Sequence, residues 1–427
     1  MTNHFKAHDS RIGCILAFSI AALCARTANA IAQETGTSGG QQPPSTVSEE
    51  QVNVNAVAEP GRLMRAFSWA ETQIDNHLGA RDGWYPELGG MIPGAGVSAG
   101  PGYRHHLFGD QAVLDASAAI SWNGYRMMRS QLTWPRLMND RLLIGGQVKY
   151  QDFTQINFFG IGNTTLKSDQ TDYRLKDVDA LGFVTVTPRP WLSVTGRAGT
   201  LRRLSIEPGT SSLHPSTDEA FGEISAPGLT QQPNYVHADL AMDVDTRDVP
   251  GYPSSGGRYG LSVAMFHDQD FSSYSFTRAD AEAAQYVPLG RTVLTLRGRL
   301  DVSQAGAGQT VPFYLLPTLG GASSLRGYLD YRFRDQDAML MVAEYRLPIH
   351  RLIDAAVFYD TGSVAPAARA LFDHLNPDYG AGIRVHSARH LLLQFDVARG
   401  NEGTRAVVNV MAPLGLRSSR TVAPYVP

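Results

Sequence analysis

The chain has 427 residues, of which 18% are charged and 43% are hydrophobic, a balance that argues against disorder over its whole length. The formal net charge of −3 gives no indication of a nucleic-acid partner. After the first thirty residues, no run approaches the ~18 consecutive apolar residues of a membrane-spanning helix, which excludes a helical membrane protein. A soluble all-β protein and an outer-membrane β-barrel remain.

Residues 1–30 have the pattern of a secretory signal peptide. Lys6 and Arg11 precede an apolar stretch over 12–25, and the small residues of Ala28-Asn29-Ala30 match a signal-peptidase site. The mature chain is therefore predicted to begin just after this site. Both cysteines lie in the removed segment, so we expect no disulfide and no thiolate metal site in the mature protein; they are Cys14 and Cys24.

Two segments precede the main body of the chain. Residues 31–60 are rich in Gln, Ser, Thr, Gly and Pro and have few large apolar side chains, which predicts a flexible periplasmic leader. Residues 61–89 are predicted to hold one short amphipathic helix and a connection, and we favour a helix packed on the protein over one lying on a membrane. Apolar residues recur there at steps of three and four; they are Leu63, Phe67, Ala70, Ile74 and Leu78.

From residue 90 to residue 427, apolar and polar side chains mostly alternate with a period of two, as in β-strands. In the segment Met339–Ile349, one face is wholly apolar and the other carries Glu344 and Arg346. The same division recurs at 236–245, 291–303 and 390–398. Such strands fit a soluble sandwich, with the apolar face in a core, or a membrane barrel, with that face in lipid.

Three features favour the barrel. The strands are long, the polar faces are rich in Arg and Asp, and long loops alternate with short turns. The long loops are predicted at 159–171, 205–234 and 305–336, and short links are predicted at 188–190 and 289–290. We count roughly fifteen segments, and because these barrels have an even number of strands, we predict an all-β transmembrane antiparallel β-barrel of 16 strands, with 14 as the alternative.

The most specific motif in the chain is the segment Leu319–Tyr328, with the sequence LGGASSLRGY. Other motifs precede and follow it; they are Phe158–Asn163, Asp245–Asp248 with Pro253 and Gly257, Phe358–Gly362, Gly380–Arg384 and Asp396–Ala398. Together, over roughly residues 90–416, these motifs resemble those of the BamA/TamA superfamily of outer-membrane β-barrels, the bacterial surface antigen family. In that family the sixth loop carries an Arg-Gly-aromatic tip that folds back into the barrel lumen.

The resemblance implies a structural lock between this loop and the barrel wall. The family's strand Asp, which holds the loop Arg, corresponds to Asp360, and the loop Arg corresponds to Arg326. Alternation also puts Asp360 on the luminal face, where a buried carboxylate needs a partner such as a bidentate guanidinium. Gly327 permits a tight backbone, Tyr328 can pack on the inner wall, and Gly362 belongs to the strand motif. Without the family pattern, Arg326 would be interpreted as a solvated loop cation.

Two features depart from the family pattern. Members that insert or secrete proteins carry periplasmic POTRA modules before the barrel, and residues 31–89 show no strand-helix-helix-strand pattern. We therefore expect a POTRA-less member. Barrels of this kind usually end on an aromatic residue, whereas here the alternation over 404–412 is followed by further residues.

A catalytic site is not predicted. The segment Gly96–Gly100 has the spacing of a serine-hydrolase nucleophile elbow around Ser98, but Pro101-Gly102 follows where that elbow needs a helix. His105 and His106 are adjacent on a strand and are expected to point to opposite faces.

Metal and cofactor sites are not predicted either. His386 and His390 lack a third ligand at a suitable spacing. Asp243, Asp245 and Asp248 are expected to stabilise a turn rather than to bind calcium, because the EF-hand pattern is missing.

The favoured function is therefore non-enzymatic. We expect a monomeric protein in the outer membrane of a Gram-negative bacterium that contacts lipid and assists the assembly or translocation of client outer-membrane or secreted proteins. Two alternatives stay open: a passive or gated pore for small solutes, and an outer-membrane hydrolase that uses Ser98 with His105 or His106.

Overall fold

The computed structural model describes residues 82–89 and 91–410, all within the second of two units into which the chain divides, Asn76–Pro427. The predicted signal peptide, leader and amphipathic helix lie outside the described residues. No helix in this described part is long and apolar enough to cross a membrane.

Almost all regular structure in the described residues is β-strand. The strands are β1 Gly83–Gly89, β2 Ser98–Leu107, β3 Ala112–Ser121, β4 Arg126–Leu137, β5 Leu142–Phe158, β6 Thr171–Arg189, β7 Leu192–Pro208, β8 Tyr235–Asp245, β9 Gly256–Asp268, β10 Phe276–Leu289, β11 Thr292–Ala305, β12 Thr318–Leu319, β13 Phe333–Arg334, β14 Asp337–His350, β15 Ile353–Ala365, β16 Asn376–His386, β17 Leu391–Gly400 and β18 Gly403–Val410. The helical turns are α1 Thr217–Ala220 and three 3-10 turns, Lys167–Asp169, Phe313–Leu315 and Ala368–Ala370.

Sixteen of these strands form one antiparallel sheet in chain order. β11 pairs directly with β14, because β12 and β13 form a separate two-stranded hairpin within the loop between them. The fold is a transmembrane antiparallel β-barrel, and the prediction of 16 strands rather than 14 is confirmed.

The loops differ in length at the two ends of the sheet, as predicted. One end carries the long loops, at 159–170, 209–234 and 306–336, and the other carries links as short as those at 190–191 and 290–291. Outer-membrane barrels place long loops outside the cell and short turns in the periplasm. We call these the outer and inner ends.

The alternation predicted along the strands decides which side chains face lipid. On β8, Leu240 and Met242 are 61% and 44% exposed, whereas His237 and Asp239 between the apolar positions are buried. Because the exposed set is apolar and the covered set is charged, the apolar face contacts the membrane and the charged face lines the lumen.

The first strand lies before the predicted start of the barrel. β1 falls in the segment that the sequence assigned to a connection, and it pairs with β2 from Gly83 opposite Arg104 to Gly89 opposite Ser98. Its sequence, GWYPELG, contains Pro86 and two terminal glycines, which weaken the alternation signal of a strand.

Candidate functional site

The tip of the longest loop, Leu319–Tyr328, is folded by its own hydrogen bonds. The β12–β13 hairpin brings its two arms together. Within the tip, the Gly320 N–H donates to Ser324 Oγ at 2.8 Å, and the Gly321 N–H donates to the Leu325 carbonyl at 3.1 Å. The backbone φ at Gly320 is +117°, a value that favours glycine, so the glycine pair of the motif permits this tight turn.

Arg326 is directed from this tip to the luminal face of β15. Its Nε donates to Asp360 Oδ2 at 2.7 Å and its Nη2 donates to Asp360 Oδ1 at 2.8 Å. Arg326 is 4% exposed and Asp360 is 0% exposed, so water screens neither charge appreciably. The structure thus brings together the two residues that the motif paired, in the bidentate geometry that suits a guanidinium and a carboxylate.

Other charges surround this pair. Arg326 Nη1 also donates to Glu344 at 2.8 Å and to Asp396 at 3.2 Å, and its guanidinium lies 3.3 Å from the centroid of the Phe358 ring. Burial alone lowers the pKa of Arg326, but the bonds to Asp360 and Glu344 outweigh burial and raise it above its ordinary value, which keeps the guanidinium charged.

Arg384 supplies a second cation from β16. It lies 2.7 Å from Glu344 and 2.5 Å from Asp396, so both carboxylates are shared between two guanidinium groups. We call this set the charge cluster; it comprises Arg326, Glu344, Asp360, Arg384 and Asp396. Because removing one partner of a buried ion pair leaves an uncompensated charge, loss of Arg326 is expected to cost about 3–5 kcal/mol of stability.

Gly327 and Tyr328 fit the tip against β16 and its neighbours. The Gly327 N–H donates to Asp378 Oδ2 at 3.0 Å, and a Cβ at Gly327 would lie 2.7 Å from the Cβ of Asp378, so no larger residue fits without movement. The Tyr328 hydroxyl donates to the Pro377 carbonyl at 3.1 Å and accepts from the Asn401 N–H at 3.3 Å.

Gly362 gives room for the base of the same loop. A Cβ there would lie 2.7 Å from the Met339 carbonyl oxygen and 2.9 Å from Leu319 Cδ1. The glycine of the strand motif therefore allows the loop to approach the wall closely.

Sequence reasoning missed two further arginines of the loop. Arg332 Nη2 lies 2.7 Å from Glu402 in the β17–β18 turn, and its Nη1 donates to Thr165 Oγ1 at 2.8 Å. Arg334 donates to the Tyr173 hydroxyl at 3.0 Å and to a carbonyl of the same loop. Their signal was the alternation of aromatic and basic residues in YRFR, which does not identify partners so distant in sequence.

The sequence candidates for catalysis do not form a catalytic arrangement. Ser98 is the first residue of β2, and the strand, not a helix, continues after it. His105 and His106 both contact Asp82, at 2.8 Å and 2.5 Å. Asp82 lies just beyond the end of the β1–β2 ladder, where each of its two carboxylate oxygens reaches one ring. The side chains differ in exposure, 45% for His105 and 15% for His106, and their orientation to opposite faces stays a prediction.

The acidic and histidine residues considered as metal ligands lie in separate local contacts. Asp243 pairs with Arg258 at 2.7 Å, Asp245 pairs with Arg247 at 2.6 Å, and Asp248 accepts hydrogen bonds within its own turn. His386 contacts Asp354, whereas His390 lies near Gly251. Within the described ranges, no group of three acidic, His or Cys residues is placed to hold a metal ion.

Comparison with known proteins agrees with this architecture. The model of the Omp85 superfamily domain matches residues 107–407. Among solved structures, BamA from Haemophilus ducreyi lacking POTRA domains 1-3 is similar, with a TM-score of 0.58, 16% identity and coverage of 77% of this chain and 70% of that one. CdiB from Escherichia coli gives a TM-score of 0.50, 9% identity and coverage of 77% and 62%. No curated protein matches the sequence.

Proposed function

The chain belongs to the Omp85 superfamily of Gram-negative outer-membrane β-barrels, and on this premise we propose that it assists the assembly or translocation of proteins at the outer membrane. Its clients in this proposal are other outer-membrane or secreted proteins. It acts as a monomer in contact with lipid and catalyses no reaction.

The observation that carries the proposal is the contact between Arg326 and Asp360. We propose that the loop between β11 and β14 is folded inward and that the charge cluster locks its tip on β14–β17. A tip held by two short hydrogen bonds and a shared set of carboxylates has one preferred position. A fixed tip keeps these strands in one arrangement while the rest of the wall engages a client.

A passive or gated pore for small solutes is the second candidate function. Buried charges line the lumen, as in a polar channel, which favours this candidate; an example is the pair Arg197–Asp239, whose atoms lie 2.7 Å apart. The pore hypothesis requires steady conductance in planar bilayers that increases when residues 319–328 are shortened.

Folding of a client into vesicles tests the proposed function. An unfolded eight-stranded outer-membrane protein is diluted from urea into phosphatidylcholine vesicles with or without this protein, and folding is followed by gel mobility before boiling. We expect folding roughly tenfold faster with the protein present, the effect of lowering the barrier by about 1.4 kcal/mol. Equal rates with and without the protein would contradict the proposal.

Two variants extend this experiment. Arg326→Ala is expected to remove most of the acceleration, whereas the control Arg351→Ala, at an exposed inner-end turn, should keep it. Ser98→Ala should leave the folding rate unchanged. The hydrolase alternative requires a measured hydrolysis that is lost in Ser98→Ala or on substitution of His105 and His106.

A further inference from the structure

The link between β8 and β9 is unlike the other inner-end links. It runs from residue 246 to residue 255, whereas the other inner-end links within the described chain have two to four residues. We call residues 246–255 the strap. Two-residue turns suffice to join antiparallel strands, so the additional residues of the strap are not needed for the connection itself.

The strap is a preformed loop. Asp248 Oδ1 accepts hydrogen bonds from the N–H groups of Val249 at 2.8 Å, Ser254 at 2.9 Å and Ser255 at 3.2 Å. Burial alone raises the pKa of Asp248, but these bonds and one from the Ser254 hydroxyl outweigh it and hold the pKa well below its usual range. The ionised carboxylate therefore organises the loop.

Tyr252 attaches the strap to strands other than β8 and β9, which the strap joins. Its hydroxyl donates to Asp354 Oδ2 on β15 at 2.6 Å. The ring of Tyr252 stacks on that of His386 of β16, with centroids 4.3 Å apart. The guanidinium of Arg346 on β14 also lies 4.3 Å from the centroid of the Tyr252 ring. His386 also contacts Asp354 at 3.2 Å, so three strands meet at one tyrosine.

Backbone contacts reinforce this docking. Arg346 donates to the Pro253 carbonyl, and the Leu391 N–H donates to the Gly251 carbonyl at 3.2 Å. A Cβ at Gly251 would lie 2.2 Å from the Arg389 carbonyl oxygen, so this position in the strap accepts only glycine without movement.

The sheet order places these partners away from the strap's own strands. β10 and β11 separate β9 from β14, and β16 lies further along the sheet. On β15, Asp354 is an even number of residues from Asp360 and therefore points to the same, luminal face. Arg346 on β14 is likewise on the same face as Glu344, so these partners of the strap are luminal. The strap therefore extends over the lumen at the inner end.

We propose that the strap is an inner gate of the lumen, latched by Tyr252. Asp354 and Asp360 are six residues apart on β15, roughly 20 Å along the strand, so strap and loop tip obstruct the lumen at two levels. Ions and small solutes pass only when both have moved. The gate does not rest on the proposed function, because it is defined without a client.

Single-channel conductance in planar bilayers tests the gate. Four proteins are compared: the wild type, Tyr252→Ala, a variant in which residues 319–328 are shortened, and the combination of both changes. We expect the loop variant to conduct little more than the wild type and the combination to open on the order of tenfold more often, since a hydrogen bond and a cation–π contact of the latch are lost. The gate is wrong if the loop variant alone conducts as well as the combination.

Two further variants distinguish the loss of the Tyr252 latch from a general loss of barrel stability. Gly251→Val should displace the strap while Tyr252 itself is unchanged. Combined with the shortened 319–328 loop, it should raise the opening frequency as Tyr252→Ala does. Tyr359→Ala, a lipid-facing tyrosine on β15, is the matched control and should leave conductance unchanged. All proteins are first checked for heat-dependent gel mobility. A Gly251→Val combination that folds and stays closed would also contradict the gate.

Discussion

Arg326 and Asp360 are 34 residues apart in sequence and are joined by two hydrogen bonds of 2.7 and 2.8 Å in a buried site. The pair links the longest loop of the barrel to its wall.

Loss of the guanidinium should release the loop. Arg326→Ala leaves Asp360 without its partner, and we expect a loss of about 3–5 kcal/mol of stability. The loop should become sensitive to added protease, and the heat-dependent gel shift should occur at a lower temperature. Arg326→Lys keeps the charge but not the bidentate geometry, so it should be intermediate. Protease sensitivity and heat stability equal to the wild type in Arg326→Ala would refute the lock.

Gly327 should tolerate no side chain. In Gly327→Ala, the new Cβ meets Asp378 and the Gly400 backbone at 2.7 Å, so the tip must move away from β16. We expect a loss of roughly 1–3 kcal/mol by thermal unfolding. Gly298→Ala on β11 is the control, because a Cβ there meets nothing within 4 Å. Equal losses in both variants would show that the close approach is unimportant.

The strap should weaken in acid. Because the pKa of Asp248 is lowered in the folded protein, its contribution to stability is fully present above the unfolded value of about 3.9 and is lost as the pH falls below that value toward the folded pKa. Proteolysis within the strap should therefore increase below about pH 4 in the wild type. Asp248→Asn should show faster proteolysis at neutral pH and little further change in acid, while Asp110→Asn at another inner-end turn should behave as the wild type. A strap cleaved equally at all pH values would argue against this role.

Arg332 should stabilise the contacts of the β11–β14 loop with two other outer-end segments, the β17–β18 turn and the loop that holds Thr165. Its replacement by Ala removes the contacts with Glu402 and Thr165, and we expect roughly 1–3 kcal/mol of local destabilisation. Hydrogen exchange should rise in the β17–β18 turn and in the loop that holds Thr165. Arg291→Ala, at an exposed inner-end turn, should change neither region.

Much of the fold follows from local sequence patterns. Period-two alternation identifies the lipid and luminal faces because each strand carries its own signal, and the long loops at 159–170, 209–234 and 306–336 coincide closely with the predicted ones. β1 escapes detection because proline and glycine interrupt that signal.

The site was less accessible from sequence. The pairing of Arg326 with Asp360 followed from a motif, whereas the roles of Glu344, Arg384 and Asp396 depend on the register of four strands, which the alternation alone does not fix. Tyr252 of the strap contacts Asp354 across the lumen, and no local sequence pattern predicts this contact.

The most direct test of the account is the accessibility of the loop tip from outside the cell. Ser324, 5% exposed, is replaced by Cys and labelled on intact cells with a bulky thiol reagent, with Ser212→Cys in an exposed outer loop as the reference. We predict slow labelling at position 324, rising toward the reference rate when Arg326→Ala is added. Labelling at position 324 as fast as at position 212 in the otherwise unchanged protein would contradict a tip locked in the lumen.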